Sequence, residues 1–133
     1  MLTRLAHICI QVADIHRTIA FYRDGIGLPV QFTFRKDGDL RGAYFRIGKD
    51  SFIEAFLVPA PAGIIHFCLE SDDIDGFIAA AAAWGIACTP KRRAADRSWQ
   101  TWLRDPDGNA FEIHHYTAES MQRLGGVAEA AWL

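Results

Sequence analysis

The chain has only three cysteines, and their spacing offers no disulfide framework. That suits a reducing compartment and sets aside the disulfide-stapled secreted scaffolds. No apolar run approaches the ~20 residues that a membrane span needs. The opening Met1-Leu-Thr-Arg has no signal-peptide pattern and leads straight into a strand-like stretch. A cytoplasmic protein without a membrane partner is therefore expected. Blocks of like charge are also missing: 14 basic and 16 acidic residues leave a formal charge of −2. The densest basic spot, Lys91-Arg92-Arg93, reads as a solvated turn, so no nucleic-acid partner is expected. Half of the 133 residues are hydrophobic, enough for one sizeable core.

The same short pattern occurs twice. His7-Ile-Cys-Ile-Gln-Val-Ala-Asp14 and His66-Phe-Cys-Leu-Glu-Ser-Asp-Asp73 both run His, apolar, Cys, apolar, and reach an Asp seven positions after the His. Adding 59 carries His7 to His66, Cys9 to Cys68 and Asp14 to Asp73. Adding 58 carries Gly27 to Gly85, Tyr44 to Trp102 and Glu54 to Glu112. A repeat of this length points to one supersecondary unit used twice. Halves of about 60 residues are marginal alone, so they are expected to share a core.

Within the first half (1–58), residues 5–12 alternate as a strand, and Asp14 caps a helix from Ile15 to about Asp24. Strands follow at 28–35, 40–47 and 51–58, the first two joined through the turn Lys36-Asp-Gly-Asp39. Pro59-Ala-Pro-Ala-Gly63 is a stiff linker. The second half (64–116) repeats the order: a strand at 64–71, a helix capped by Asp72 or Asp73 and running to about Trp84, and a strand at 86–91 broken at Pro90. Strands at 98–104 and 110–116 follow, joined by the turn Asp105-Pro-Asp-Gly-Asn109. A C-terminal helix is expected over 118–131, weakened by Gly125-Gly126. The fold class is α+β: two tandem βαβββ modules in a curved mixed sheet.

Strand parity assigns the faces. Ala6, Ile8, Ile10 and Val12 should lie under the helix, with His7 and Cys9 opposite. Glu54 shares a side with Phe52, Phe56 and Val58; His66 with Ile64 and Cys68; Glu112 with Ala110, His114 and Tyr116. Each half thus offers one His and one Glu on the face away from its helix. Carboxylates and imidazoles among Phe and Ile are costly unless paired or bound to a metal. His7, Glu54, His66 and Glu112 form a hard N/O donor set for a divalent ion such as Ni, Co, Mn, Zn or Fe, unlike a thiolate-rich structural zinc site. Open positions on that ion would take a small chelating substrate, stabilise an enediolate, and let a neighbouring Glu move the proton. Phe52, Phe56, Trp99, Trp102 and Tyr116 make an aromatic, substrate-binding cup, with His114 on the face of Glu112. Cys9 and Cys68 read as small cavity-lining groups, His16 as solvated, and His115 as structural on the helix side.

The segments LAHICIQVADIHRTIAFYRDGIGLPV (5–30), IIHFCLESDDID and WLRDPDGNAFEIHHY (102–116) resemble the vicinal oxygen chelate superfamily. That group contains glyoxalase I, bleomycin-resistance protein and extradiol dioxygenases. The resemblance implies a cup with the metal inside, held at the positions of His7, Glu54, His66 and Glu112. This His-Glu-His-Glu pattern is similar to bacterial glyoxalase I, which makes Glu112 the proton shuttle and Glu54 the second catalytic carboxylate. The expected activity is therefore a glyoxalase I-like, metal-dependent lyase or isomerase. The alternatives are an extradiol-type Fe(II) dioxygenase and a non-catalytic small-molecule binder. Asp24 stands where glyoxalase I tends to carry a basic residue, which leaves glutathione in question, while Arg92, Arg93 and Arg97 offer charge for an anionic substrate. The resemblance also implies a homodimer, its sites completed within one chain or by the first half of one copy and the second half of the other.

Overall fold

A computed structural model describes residues 1–133 except 60, 105, 107 and 109. Parts of the linker expected at 59–63 and of the turn expected at 105–109 lie outside the described residues.

The first module is β1 (Leu2–Val12), α1 (Ile15–Ile19, continuing as a π-helical stretch over Ala20–Gly25), β2 (Val30–Lys36), β3 (Asp39–Ile47) and β4 (Ser51–Leu57). The second is β5 (Gly63–Ser71), α2 (Ile74–Ala83), β6 (Arg92–Arg93), β7 (Trp99–Arg104) and β8 (Ala110–His115). A single turn, α3 (Met121–Leu124), and a strand, β9 (Gly126–Glu129), complete the chain. Among the described residues nine strands form one curved sheet in the order β6-β7-β8-β5-β1-β4-β3-β2-β9.

Local chemistry explains the repeat. The Asp14 carboxylate accepts the Arg17 N–H at 3.0 Å, and the Asp73 carboxylate accepts the Gly76 N–H at 2.9 Å, so each repeated Asp caps its module's helix. Asp37 (φ 51°) and Gly38 (φ 86°) both take the left-handed conformation that a tight two-residue hairpin between β2 and β3 requires. Ile15 and Ile19, one turn apart, bury against Val12, Ala43, Phe45 and Ala55 under α1. Ile74 does the same with Leu103 and Ile113 under α2. A third cluster fills the opposite, concave face: Phe32, Phe34, Tyr44, Phe52, Phe56 and Tyr116.

Three expectations fail here. Ala6 packs in the concave cluster rather than under α1, because the β1–β5 register slips between Leu5 and His7 and interrupts the alternation. Residues 86–91 do not form a strand. Thr89 instead clasps β7 irregularly, its N–H donating to Trp102 O at 2.8 Å and its carbonyl accepting Thr101 Oγ1 at 2.7 Å. Regular pairing begins only at Arg92. The helix expected over 118–131 ends after one turn. Gly125 (φ 71°) and Gly126 (φ 112°) take conformations closed to most residues and turn the chain into β9, which pairs in parallel with β2. Met121, Ala128 and Ala130 thereby pack into the concave cluster.

Candidate metal centre

Four adjacent central strands, β4, β1, β5 and β8, carry the repeated residues. Cys9 is opposite Glu54 on one side and His66 on the other. Cys68 is likewise opposite both His7 and Glu112. A small side chain thus lies at the centre of each ladder row, and longer donors reach over it from both neighbours. This is the physical content of the repeated His-x-Cys.

The four donors converge within one chain. His7 Nε2 lies 3.1 Å from Glu112 Oε2 and 3.5 Å from Glu54 Oε2. His66 Nε2 lies 3.2 Å from Glu112 Oε2 and 3.9 Å from Glu54 Oε2. Sharing a site between two copies is therefore not needed to assemble the set. His7 is buried, and its Nε2 makes no aligned hydrogen bond despite the 3.1 Å approach to Glu112. His66 Nε2 and Glu112 Oε2 are hydrogen-bonded, which leaves His7 Nε2 as the unpartnered donor atom aimed at the other three. Ligands about 2.1 Å from one cation lie roughly 3–4 Å apart, so the spacing fits a divalent ion. Two sets of donors come within reach of one another, His7 with Glu54 and His66, and His7 with Cys68, Glu112 and His114, so the two carboxylates fall in different sets that share His7. Burial raises the Cys68 thiol well above its ordinary value, as it does for Cys9, so neither is a ready thiolate.

The surroundings of the four donors are unequal. His7 Nδ1 faces the Tyr44 hydroxyl at 2.5 Å and the Tyr116 hydroxyl at 3.3 Å. Burial lowers its pKa to about 4 against the opposing pull of Glu112, so it is neutral near pH 7. When Nδ1–H donates to Tyr44, the Nε2 lone pair points into the site, the arrangement a metal ligand needs. Burial and then the Glu112 charge raise Glu54 well above the usual carboxylate range. Burial would raise Glu112 too, but the charge and hydrogen bond of His114, with His66 and His7, hold it well below that range. Burial alone would lower His114, yet Glu112 brings it up to about 9. Gln100 Nε2 donates to Glu112 Oε1 at 2.8 Å, while Gln100 Oε1 accepts Arg92 Nε at 2.9 Å. Behind His114, Ser98 Oγ faces Nδ1 at 3.2 Å and donates to Asp96 at 2.6 Å.

A cavity of about 460 Å³ opens over Glu54, His66, Glu112 and His114. Of the aromatic residues expected to meet substrate, Phe56 and Trp102 line it. Trp102 packs edge-on to His66 with ring centroids 4.7 Å apart. Phe52 and Tyr116 are instead buried beneath it, packed against each other and against Tyr44 and His114. Met121, Ala128 and Ala130 from the C-terminal segment occupy the space that would have exposed them. Trp99 lies on the other face of the sheet with Ile74 and Leu103, under Lys91. It differs in parity from Trp102, so both cannot face the cup. Sequence reasoning missed Tyr44, Gln100, Phe34 and Trp132. Gln100 could have been found, since it shares the parity of Trp102; Trp132 could not, because its placement depends on β9.

A model of the Glyoxalase/Bleomycin resistance protein/Dioxygenase superfamily matches residues 4–113. The chain belongs to this superfamily. Solved structures agree on the fold. Methylmalonyl-CoA epimerase of Streptomyces coelicolor, as a variant in complex with 2-nitronate-propionyl-CoA, is 24% identical with a TM-score of 0.76, over 89% of this chain and 100% of that one. Methylmalonyl-CoA epimerase from Mycobacterium tuberculosis is 20% identical with a TM-score of 0.72, over 87% and 89%. A hypothetical protein from Bacillus halodurans C-125 is 20% identical with a TM-score of 0.70, over 86% and 94%. Membership of the superfamily leaves the reaction open, since its name spans enzymes and a resistance protein.

Proposed function

We propose that the chain is a divalent-metal-dependent isomerase or lyase, glyoxalase I-like, that moves a proton on a carbon next to a carbonyl of a small chelating substrate. The observation that supports it is the convergence of His7, Glu54, His66 and Glu112, with His7 Nε2 buried and unbonded. These four residues would hold the ion. A bound cation supplies Lewis-acid stabilisation of the charge that grows on the substrate oxygens. Glu112, which its histidines favour as the carboxylate, would take the proton and return it, with Glu54 as the second carboxylate on the ion. His7, kept neutral by burial and held by Tyr44, and His66, hydrogen-bonded to Glu112, orient the carboxylates. Trp102 and Phe56 wall the cavity against water. Epimerisation beside a carbonyl, the reaction named for the Streptomyces and Mycobacterium proteins, shares the same proton removal.

Metal analysis of the purified protein, followed by hemithioacetal isomerisation and epimerisation assays with Ni, Co, Mn or Zn added, tests the reading. Bound metal and turnover that Glu112→Gln abolishes are expected. Protein that takes up no metal and gains no activity would overturn it.

Assembly and location are part of the same proposal. Ile64, Ile65, Phe67 and Trp84 are exposed apolar side chains, Ile64 by 72% and Trp84 by 86%. A second copy covering them would form a homodimer. Sedimentation at micromolar concentration should give twice the 14.9 kDa chain mass. A monomer at that concentration would refute it. The three free thiols suit a reducing cytoplasm. Among the described residues no helix is long and apolar enough to cross a membrane.

A further inference from the structure

The cavity is larger and more apolar than a minimal chelate needs. Its volume of about 460 Å³ corresponds to about fifteen water-sized groups at about 30 Å³ each. A three-carbon chelate with three oxygens has six heavy atoms, and would leave most of this space as water against apolar walls. Beside Glu54, His66, Glu112 and His114 the cavity is lined by the aromatic rings of Phe34, Phe56, Trp102 and Trp132. Phe34 and Phe56 each pack edge-on to Trp132 at 6.0 Å between centroids. This makes a narrow aromatic wall suited to a flat group.

Arg92 lies at the rim. Its Nε donates to Gln100 Oε1 at 2.9 Å, and among the described residues no carboxylate pairs with its guanidinium. Its neighbour Arg93 is bound to Glu119. Glu129 also lines the cavity, but makes no ion pair with Arg92 among the described residues. One amide, that of Gln100, separates Arg92 from the Glu112 carboxylate, since its Nε2 donates to Glu112 Oε1 at 2.8 Å. An anionic group on Arg92 would therefore sit next to the chelating oxygens, with the apolar body directed away from both.

We propose that the ligand of this cavity carries, beyond its two chelating oxygens, an anionic group bound by Arg92 and a flat apolar body held between Phe56, Trp102 and Trp132. The placement of the oxygens rests on the metal-centre reading given above; the other two features rest on the cavity. Chelation alone would not distinguish ligands of different tail or charge, whereas this cavity does. Burial of a ring favours it by about thirtyfold or more, and an arginine–carboxylate pair by about tenfold or more.

Three probes separate the features: malate, 3-phenylmalate and the 4-amide of 3-phenylmalate, all of which keep the hydroxyl and C1 carboxylate for chelation. Each is titrated calorimetrically into protein with and without Zn(II), after the Zn(II) affinity itself has been measured. 3-Phenylmalate should bind about thirtyfold tighter than malate and about tenfold tighter than its 4-amide. Trp132→Ala should shrink the first ratio, Arg92→Gln should shrink the second, and Arg92→Lys should keep much of it. Malate and 3-phenylmalate binding within about threefold of each other would overturn the apolar body. An acid-to-amide ratio that Arg92→Gln leaves unchanged would overturn the anion site. Failure of Zn(II) to bind overturns the metal-centre reading alone, because both ratios are also measured in metal-free protein.

Discussion

Tyr44→Phe removes one oxygen from the structure and little else. Tyr44 is fully buried, its ring stacked on Phe32 at 4.5 Å between centroids and in contact with Phe34 and Phe52. Phenylalanine fills that space equally well, so no cavity follows. The lost group is the hydroxyl 2.5 Å from His7 Nδ1. Tyr116, 3.3 Å from the same nitrogen, remains as a poorer partner. Metal-free stability should therefore fall by only about 1 kcal/mol, or about 3–5 °C in Tm. Metal affinity should fall further. A partner that fixes the orientation of a ligating histidine is worth about 10–100-fold in affinity. At saturating metal, tenfold weaker binding removes about 1.4 kcal/mol of ligand-induced stabilisation. The gain in Tm on adding metal should therefore shrink by roughly 4–6 °C relative to wild type. Thermal scans with and without Zn(II), paired with a chelator competition for affinity, separate the two effects. A variant with lower metal-free Tm but unchanged metal affinity would show that Tyr44 only packs, and the tautomer argument would be wrong.

Other consequences can be measured as directly. Cys68→Ala should leave metal affinity within about threefold, because burial keeps this thiol protonated and the N/O donors suffice; a hundredfold loss would make Cys68 a ligand. The metal-free protein should lose stability on both sides of about pH 6.5. On the acid side, unfolded His7 takes a proton near its ordinary value of 6.5 while the native residue stays neutral down to about 4, so stability falls by up to about 3 kcal/mol as pH falls through that window. On the alkaline side, native His114 keeps its proton up to about 9, so stability falls as pH rises from 6.5 to 9. Urea titrations showing a flat profile from pH 4 to 9 would contradict both. Gly42→Ala would put a Cβ 2.7 Å from Phe56 Cδ1 and 2.8 Å from Ala55 O, and should cost about 1–3 kcal/mol or about 4–12 °C in Tm. An unchanged Tm would show that Phe56 is freer than its packing indicates.

The site was legible because its information is local and repeated. His7 with Cys9 and His66 with Cys68 keep strand parity, and the period-2 rule places each His on the face of its Cys. Glu54 and Glu112 follow by the same rule on their own strands. What was not legible depends on long-range events. Ala6 changes face at a register slip against a strand sixty residues away. Phe52 and Tyr116 lose their access to the cavity because the C-terminal segment covers them, and that segment turns at Gly125-Gly126, where two glycines had indicated only a weak helix. Trp99 is a different case. Its parity against Trp102 was visible in the strand 98–104, so the expectation that placed both in the cup went against the alternation of that strand. Tyr44 reads from sequence as core, which it is; its bond to His7 requires knowing that β3 lies two strands from β1.

The repeat explains the convergence of four donors, but the chemistry depends on where the repeat is broken. The offset that carries Glu54 to Glu112 also carries Phe56 to His114. Two residues further along the strand, on the same face, one half has an apolar ring and the other an imidazole. Phe56 gives Glu54 no charge to lean on, so burial and the neighbouring carboxylate push its proton affinity up. His114 lies with Nε2 3.3 Å from Glu112 Oε2 and is itself backed by Ser98 and Asp96, so the second carboxylate stays ionised. Two glutamates at matching repeat positions, facing one cavity, thus lean in opposite directions, Glu54 raised by burial and the Glu112 charge, and Glu112 lowered by His114 with His66 and His7. A symmetric pair would have held a cation equally well. On the function proposed above, that asymmetry would make Glu112 rather than Glu54 the group suited to take a proton from substrate.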